Sequence, residues 1–365
     1  MFRGWNVVSF RSSLFESKYY MLRGANRYYM LLKRTALIAS MLLCFFSLFS
    51  AAQAQSLKGK GDLPHFDTGG ASKNARVLNF PKDYSLGEII ISNTPLVDEH
   101  NGKRGAAKGK IVVPAKQYVC FVPSHRFFLN PAISKSLPAD GIDNLWLAAA
   151  SLDDSEDGLC DRALAAVGHF KSAIELNLDR SDATDSGAKH AADFPKLQKF
   201  SAFLALLDGS CFKSFSTLKH LNSISVKHNM VKDENLKYLA DVPQLKFLDL
   251  SQNGLSDKGV KDLVKCKNLT TLILANNHKL TDQSLETLAQ FKKLQILSLV
   301  GTSVTARALL RLKGVPLKVV ELASDSYPSS VMAKLKATFP GVIIRTHTSV
   351  RTPDADTKAL YAPLH

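Results

Sequence analysis

The sequence predicts an α/β solenoid, with a curved parallel sheet inside, helices outside and a small β-rich cap at the N-terminal end. Three observations predict this fold. Apolar residues recur with a period of about 24 from Ile142 to Leu322, their spacing changes from two to three within each period, and Asn recurs at one fixed offset. A unit that cannot bury its apolar face alone stacks on its neighbours.

Each period opens with an L-x-x-L-x-L frame, whose last two apolar residues favour a short strand with one buried face. One repeat offers six or seven apolar side chains at about 1.5–3 kcal/mol each, against about 1–2 kcal/mol of backbone entropy per residue, so it cannot fold alone. The eight frames are Ile142/Leu145/Leu147, Ala173/Leu176/Leu178, Leu197/Phe200/Ala202, Leu221/Ile224/Val226, Leu245/Leu248/Leu250, Leu269/Leu272/Leu274, Leu294/Leu297/Leu299 and Leu317/Val320/Leu322.

The second half of the better-defined periods favours a helix with one apolar stripe, because apolar residues there are three apart. An Asp precedes the stripe by three residues, where its carboxylate can accept free amides at the helix N-terminus. We therefore expect helices to begin near these residues. The acids and their stripes are Asp233 with Leu236 and Leu239, Asp257 with Val260 and Leu263, and Asp282 with Leu285 and Leu288.

Asn229, Asn253 and Asn277 each stand three residues past the last strand hydrophobe. In stacked turns a buried Asn can satisfy the backbone of its own loop and of the next one. Asn is also common in ordinary turns, but its recurrence at one offset favours a structural ladder. Where Ala205 or Thr302 takes the place, the loop must bond differently.

The stretch "LKFLDLSQNGLSDKGVKDL" resembles the leucine-rich repeat, in the subtype with a helical convex side. The resemblance is closest over residues 218–304 and extends more loosely over 172–345. It implies a right-handed solenoid without catalysis that binds a partner with its concave sheet.

The N-terminal segment carries the three-part pattern of a secretory signal. Lys33 and Arg34 precede an apolar run of about 14 residues, and Ala52-Gln53-Ala54 fits a cleavage site. An uncleaved anchor is the alternative, but the run is shorter than the ~20 residues that span a bilayer. The sequence therefore predicts a secreted, periplasmic or cell-envelope protein, with membrane contact only through the signal.

Five segments follow from these patterns. Residues 1–54 are a signal peptide with a long leader, and 55–83, rich in Gly, Lys and polar residues, are a flexible linker. Residues 84–140 contain the β-prone runs "GEIIIS", "GKIVVPAK" and "YVCFV" and are expected to cap the first repeat. About eight repeats fill 141–345, with "VIIRTH" as a last strand, and 346–365 form a mobile tail.

Charge and cysteine content narrow the classes of partner. The formal charge is +15, and removal of residues 1–54, with seven Lys or Arg and one Glu, leaves about +9. Lys258, Lys261, Lys265 and Lys267 are expected on the helical side, as a solvated face or as a surface for an anionic polymer, membrane or acidic protein. The basic residues are not interleaved with aromatic ones, so the sequence does not indicate nucleic-acid binding. Four cysteines remain after the signal, without CxxC or zinc spacing. Cys160 and Cys211 could meet only if both face the same side of adjacent turns, and some of the four are expected in the core.

The sequence contains none of the common catalytic signatures: G-x-S-x-G, H-E-x-x-H, a P-loop or G-x-G-x-x-G. We expect no catalytic residues, no metal and no cofactor. An enzyme would need a site within residues 84–140.

The residues that alternate with the leucines are expected to line the concave wall and bind a protein or peptide. Trp146, Phe203 and Phe247 are candidate anchors, because large aromatics bury much area at low entropy cost; cover by the cap or the tail is the alternative. A structural envelope component that uses its basic face is the second hypothesis. The predicted binding residues are Trp146, Glu175, Asn177, Asp179, Lys199, Phe203, Lys227, Phe247, Asp249, Ile273 and Glu321.

Overall fold

The computed structural model describes residues 71–95, 97, 101–148, 158–305, 307–323 and 328–347. The chain divides into two compact units, Met1–Leu63 and Pro64–His365, and all described residues belong to the second. The predicted signal peptide, the first part of the predicted linker and the tail beyond His347 lie outside the described residues.

The described chain is a mixed α/β fold built on a 12-stranded sheet, in which β14 to β6 follow one another in reverse chain order before β5, β2 and β3. Strands β5 to β14 are parallel, and β5, β2 and β3 are antiparallel. The predicted α/β repeat architecture is therefore confirmed. The strands are β1 Arg76–Asn79, β2 Gly87–Ser92, β3 Lys103–Ala106, β4 Lys110–Val113, β5 Tyr118–Pro123, β6 Asn144–Trp146, β7 Glu175–Asn177, β8 Lys199–Ser201, β9 Ser223–Ser225, β10 Phe247–Asp249, β11 Thr271–Ile273, β12 Ile296–Ser298, β13 Val319–Ala323 and β14 Ile343–His347.

Helical segments follow the repeat strands, but many are 3-10 rather than α. Such tight turns suit short connections, and only three α-helices of the described repeats exceed five residues. The α-helices are α1 His125–Leu129, α2 Leu159–Val167, α3 Asp185–Ala188, α4 Asp257–Leu263, α5 Ser284–Leu288 and α6 Ser329–Thr338; the 3-10 segments are Pro131–Ser136, Lys189–Asp193, Ser210–Thr217, Asp233–Asp241 and Ala308–Gly314.

One apolar core runs through all the repeats. Every residue of the eight predicted frames is at most 7% exposed and belongs to a single cluster. That cluster also contains Leu78, Phe121 and Phe127 from the N-terminal region and Leu335 of α6. The leucines of consecutive repeats therefore share one interior.

The N-terminal strands extend the repeat sheet instead of only shielding it. Cys120 of β5 pairs with Asn144 of β6 in parallel register, so β5 acts as an additional turn of the solenoid. The linker boundary at residue 83 is too late, because β1 pairs with β4 and Leu78 is fully buried. "VIIRTH" does supply the last strand, β14.

The three asparagines bond backward along the stack rather than forward. Nδ2 of Asn253 donates to Leu250 O and Ser251 O in its own loop and to Val226 O in the preceding repeat, each at 3.0 Å. Asn229 reaches Ala202 O in the same way, and Asn277 reaches Leu250 O. Among the described residues, the Thr302 hydroxyl donates only to Leu299 O of its own repeat, at 2.8 Å. Substitution at this offset thus removes a contact between repeats.

A second row of bonds joins the helical sides. The expected helix-capping acids accept amides of the following repeat: Asp257 binds N and Oγ1 of Thr281 at 2.9 and 2.7 Å, and Asp282 binds Thr305 at 2.6 and 2.7 Å. Asp233 likewise accepts from Ser256 N at 3.1 Å and from Ser256 Oγ. Ser256 Oγ in turn caps α4 through Lys258 N. Each acid therefore fixes the start of the next helical segment.

We predict that Gly259 is required by this acid row. A Cβ at residue 259 would lie 2.3 Å from Oδ1 of Asp233, so Gly259→Ala should lower the free energy of unfolding by about 1–3 kcal/mol. In an Asp233→Ala background the same change should cost much less, because the clashing carboxylate is gone. Urea unfolding measures both, and Gly314→Ala, with nothing within 4 Å of its added Cβ, is the control. Equal costs in the two backgrounds would contradict the clash.

A buried ion pair holds β1 on the first repeat. Arg76 Nη1 lies 2.8 Å from Asp143 Oδ2 and donates to Asp140 O at 2.7 Å, and both charged side chains are nearly inaccessible. The same Asp143 oxygen accepts from Val119 N at 2.8 Å. Burial raises the pKa of Asp143 from 3.8 to about 6, against the opposing effect of Arg76.

We predict a stability change with pH that originates at Asp143. Between pH 3.8 and about 6 the folded carboxyl keeps a proton that the unfolded one releases, so the free energy of unfolding falls as pH rises through this window. Urea unfolding at pH 4 to 7 should show a loss of the order of 2–3 kcal/mol relative to Asp143→Asn. The exposed-site variant Asp241→Asn is the control. A difference between wild type and Asp143→Asn that is constant over the window would refute this origin.

Candidate partner-binding face

Side chains on the face of the sheet opposite the core form rows set by the parallel register. We define row one as the first residues of strands β6 to β13 and row two as the third residues. Row three contains Asp179, Phe203, Lys227 and Ser251, which follow the strands at the next position on the same face. Because successive strand residues alternate between faces, these rows contain the predicted binding residues.

Eight of the predicted residues are partly exposed and gather on β6 to β10. Lys199 and Phe247 belong to row one, and the side chain of Lys199 is 32% exposed. The predicted anchors Phe203 and Phe247 are both half-buried. The partly exposed set is Trp146, Asn177, Asp179, Lys199, Phe203, Lys227, Phe247 and Asp249.

Three predicted residues are buried, contrary to their expected place on an open wall. Glu175, Ile273 and Glu321 are 1%, 9% and 8% exposed. Lys199 Nζ contacts Glu175 at 2.6 Å, and both Arg345 and His347 of β14 lie 3.6 Å from Glu321. Neighbouring strands are only about 4.8 Å apart, so side chains in one row cover each other.

Phe203 is the centre of a cation–aromatic cluster. The Arg180 guanidinium lies 5.7 Å from its ring centroid, Lys227 Nζ lies 5.6 Å away, and the His228 ring meets it edge-on at 6.1 Å. Cations within about 6 Å of an aromatic centroid are attracted by the ring quadrupole. Burial lowers the pKa of His228, and the nearby Lys227 charge lowers it further. The cluster thus combines an apolar ring with two positive charges.

The row-two and row-three acids near this cluster hold the backbone. Asp179 Oδ1 accepts from Phe203 N at 2.7 Å, and Asp249 Oδ1 accepts from Ser251 N and Oγ at 2.9 and 2.6 Å. Burial raises the pKa of Asp249. These carboxylates therefore position the face before any partner is considered.

Trp146 differs from the other two predicted anchors because the N-terminal strands cover it. Its side chain packs against a small second cluster formed by Ile90, Val97 and Cys120. The alternative considered for the three aromatic residues, that the cap covers them, therefore holds for Trp146.

Arg180, His228 and Asn144 were not among the predicted site residues. Arg180 and His228 have φ values of 58° and 57°, and Leu204, Gln252 and Asn276 share this left-handed conformation one repeat apart. Their 24-residue spacing is the sequence signal that could have located them. Asn144 begins β6, which the frame Ile142/Leu145/Leu147 already located.

The described residues do not assemble a metal site or a reactive thiol. No group of three or more His, Cys, Asp or Glu is close enough to hold an ion within the described ranges. All four cysteines in the part that the structure describes are buried and form no disulfide, and burial raises the pKa of Cys266 to about 12. No described helix is long and apolar enough to cross a bilayer.

The comparisons with known proteins agree with this geometry. The leucine-rich repeat family model matches residues 243–264 and 265–289. The chain contains leucine-rich repeats. The first matched segment contains β10 and α4, and the second contains β11 and α5. The search of curated proteins found no match. Leucine-rich-repeat proteins are typically binding scaffolds, and no catalytic family was found.

Proposed function

We propose that this protein is a non-catalytic scaffold that binds a protein or peptide partner outside the cytoplasm with the sheet face of its repeats. The exposed aromatic and basic group on β7 to β10, centred on Phe203 and Phe247, carries the proposal. Its export rests on the N-terminal signal pattern, and its place of action is the periplasm, the cell envelope or the exterior.

The composition of the group favours a protein partner. Phe203 and Phe247 expose apolar area within a ring of polar and charged side chains, the usual anatomy of an interface anchor with a polar rim. Lys227 and Arg180 add positive charge beside Phe203, while Asp179 accepts a hydrogen bond from the backbone. A partner segment with apolar and acidic side chains fits this arrangement.

We predict that partner capture depends on the two phenylalanines. The purified full chain is used to capture partners from the extracytoplasmic fraction of its native source, and the captured protein is identified and titrated. Phe203→Ala and Phe247→Ala should each weaken binding at least tenfold, as expected for interface anchors.

Met230→Ala is the matched control, because Met230 is 42% exposed but lies outside the three rows. It should change the affinity less than twofold. Undiminished capture by both phenylalanine variants would exclude this face.

The second candidate function is a structural envelope component. It is favoured by Lys258, Lys261, Lys265 and Lys267, which are all exposed on or after α4. Lys265 is engaged by Asp262 at 2.8 Å, and the other three have no ion pair among the described residues.

We predict that this candidate gives a different binding signature. Sedimentation with vesicles of anionic lipid should be lost when the salt concentration is raised from about 0.05 to about 0.5 M, because the Debye length shortens and the surface charges are screened. Exchange of Lys258, Lys261 and Lys267 for Gln should abolish it, whereas Phe247→Ala should not. Salt-resistant capture that needs Phe247 would reject the envelope role.

A further inference from the structure

Five buried polar atoms on the sheet face of β6 to β8 have no hydrogen-bond partner among the described residues. They are Nδ2 and Oδ1 of Asn144, Nε1 of Trp146, Oε2 of Glu175 and Oγ of Ser201. Asn144, Glu175 and Ser201 are only 0%, 1% and 6% exposed. An unsatisfied buried polar group destabilises the folded state, so five in one place indicate a bound ligand group or bound water.

The register brings these atoms together. Asn144 pairs with Glu175 in row one, and Trp146, Asn177 and Ser201 are consecutive in row two. With strands about 4.8 Å apart and same-face residues about 6.6 Å apart along a strand, the group covers a patch of roughly 10 by 7 Å. This is the dimension of one or two residues of a bound chain.

The charges in the patch cancel. Lys199 Nζ lies 2.6 Å from Glu175 Oε1, which leaves Oε2 as the unpaired oxygen. Asn144 Nδ2 and Trp146 Nε1 are free donors, Glu175 Oε2 and Asn144 Oδ1 are free acceptors, and Ser201 Oγ is both. A ligand group that is itself neutral and offers both a donor and an acceptor matches this set.

An amide fits better than a sugar. A sugar ring would need an open aromatic face, but the Trp146 ring packs against Ile90, Val97 and Cys120 and leaves its N–H as the unpaired part. A peptide unit offers one N–H donor and one C=O acceptor, which match the free acceptors and donors of Asn144, Trp146 and Glu175. The apolar cluster next to it can contact a small side chain.

The geometry points to a subsite in which Asn144, Trp146, Glu175 and Ser201 bind a main-chain amide of an extended peptide. This inference rests on the proposed peptide-binding function and names the part of the face that holds the peptide backbone. Lys199 lies beside Glu175 on the next strand and its side chain is 32% exposed, so the entrance to the subsite is at this lysine.

The test uses N-methylacetamide as a minimal amide and follows the indole N–H resonances of the full-length protein by NMR. The chain has two tryptophans, and Trp146→Phe assigns the signal. The amide should shift the Trp146 signal saturably. Methyl acetate, which lacks the N–H, and methyl glucoside should not.

Asn144→Leu separates binding from folding. Replacement of an unpartnered buried amide by an apolar side chain of similar size should leave the unfolding temperature unchanged or raise it. The same replacement should weaken binding of the probe at least tenfold. Ser225→Ala, on the next strand in row two, is the control and should leave probe affinity within twofold.

The outcomes distinguish this subsite from the proposed function. No saturable shift, an equal shift with methyl acetate or methyl glucoside, or unchanged probe affinity in Asn144→Leu would overturn the subsite and leave these atoms to ordered water. Partner capture that still required Phe203 and Phe247 would then stand. A bound probe with capture independent of both phenylalanines would instead reject the proposed interface and retain the amide site.

Discussion

The shared interior of the repeats is the constraint on which the rest of the structure depends. A strand of three residues has too few backbone bonds to persist alone, and one repeat cannot offset the entropy of its ordering. Leu248 and Leu272, in register on β10 and β11, are fully buried because each lies between neighbours of the same kind. This alignment fixes the parallel register, and the register in turn places the remaining side chains in rows on the other face.

Two rows of polar bonds hold the repeats at one spacing along the edges of this core. Asn253 and Asn277 satisfy carbonyls of their own and the preceding loop, and Asp233 and Asp257 satisfy amides of the following helical segment. The two rows act in opposite chain directions, so each repeat is bonded on both sides. Buried loops without such partners would leave backbone groups unsatisfied.

The leucine frames predicted strand positions and the core because burial has a strict period that a single sequence displays. Side-chain direction also followed, since it alternates along a strand. The leucine frames did not predict which side chains on the opposite face are buried. Glu321, for example, is covered by Arg345 and His347 from a strand one repeat later. The place of Arg76 was missed for a similar reason, because its partner Asp143 is 67 residues away and no local pattern connects them. Contacts between repeats depend on stacking geometry that periodicity alone does not contain.

The face of the sheet is not uniform, and this unevenness supports the proposed place of binding. On β11 to β13, Thr271, Ile273, Ser298 and Glu321 are all buried at the surface rows, so these strands offer little area to a partner. On β6 to β10 the rows contain large aromatic side chains, the partly exposed Lys199 and buried polar atoms without a hydrogen-bond partner among the described residues. A stack selected only for stability would have filled those positions as it filled the others, because each unpaired buried group lowers the free energy of unfolding. Most of the unpartnered buried atoms in these rows lie at the N-terminal half of the sheet, which is the physical support for the proposal that recognition takes place there.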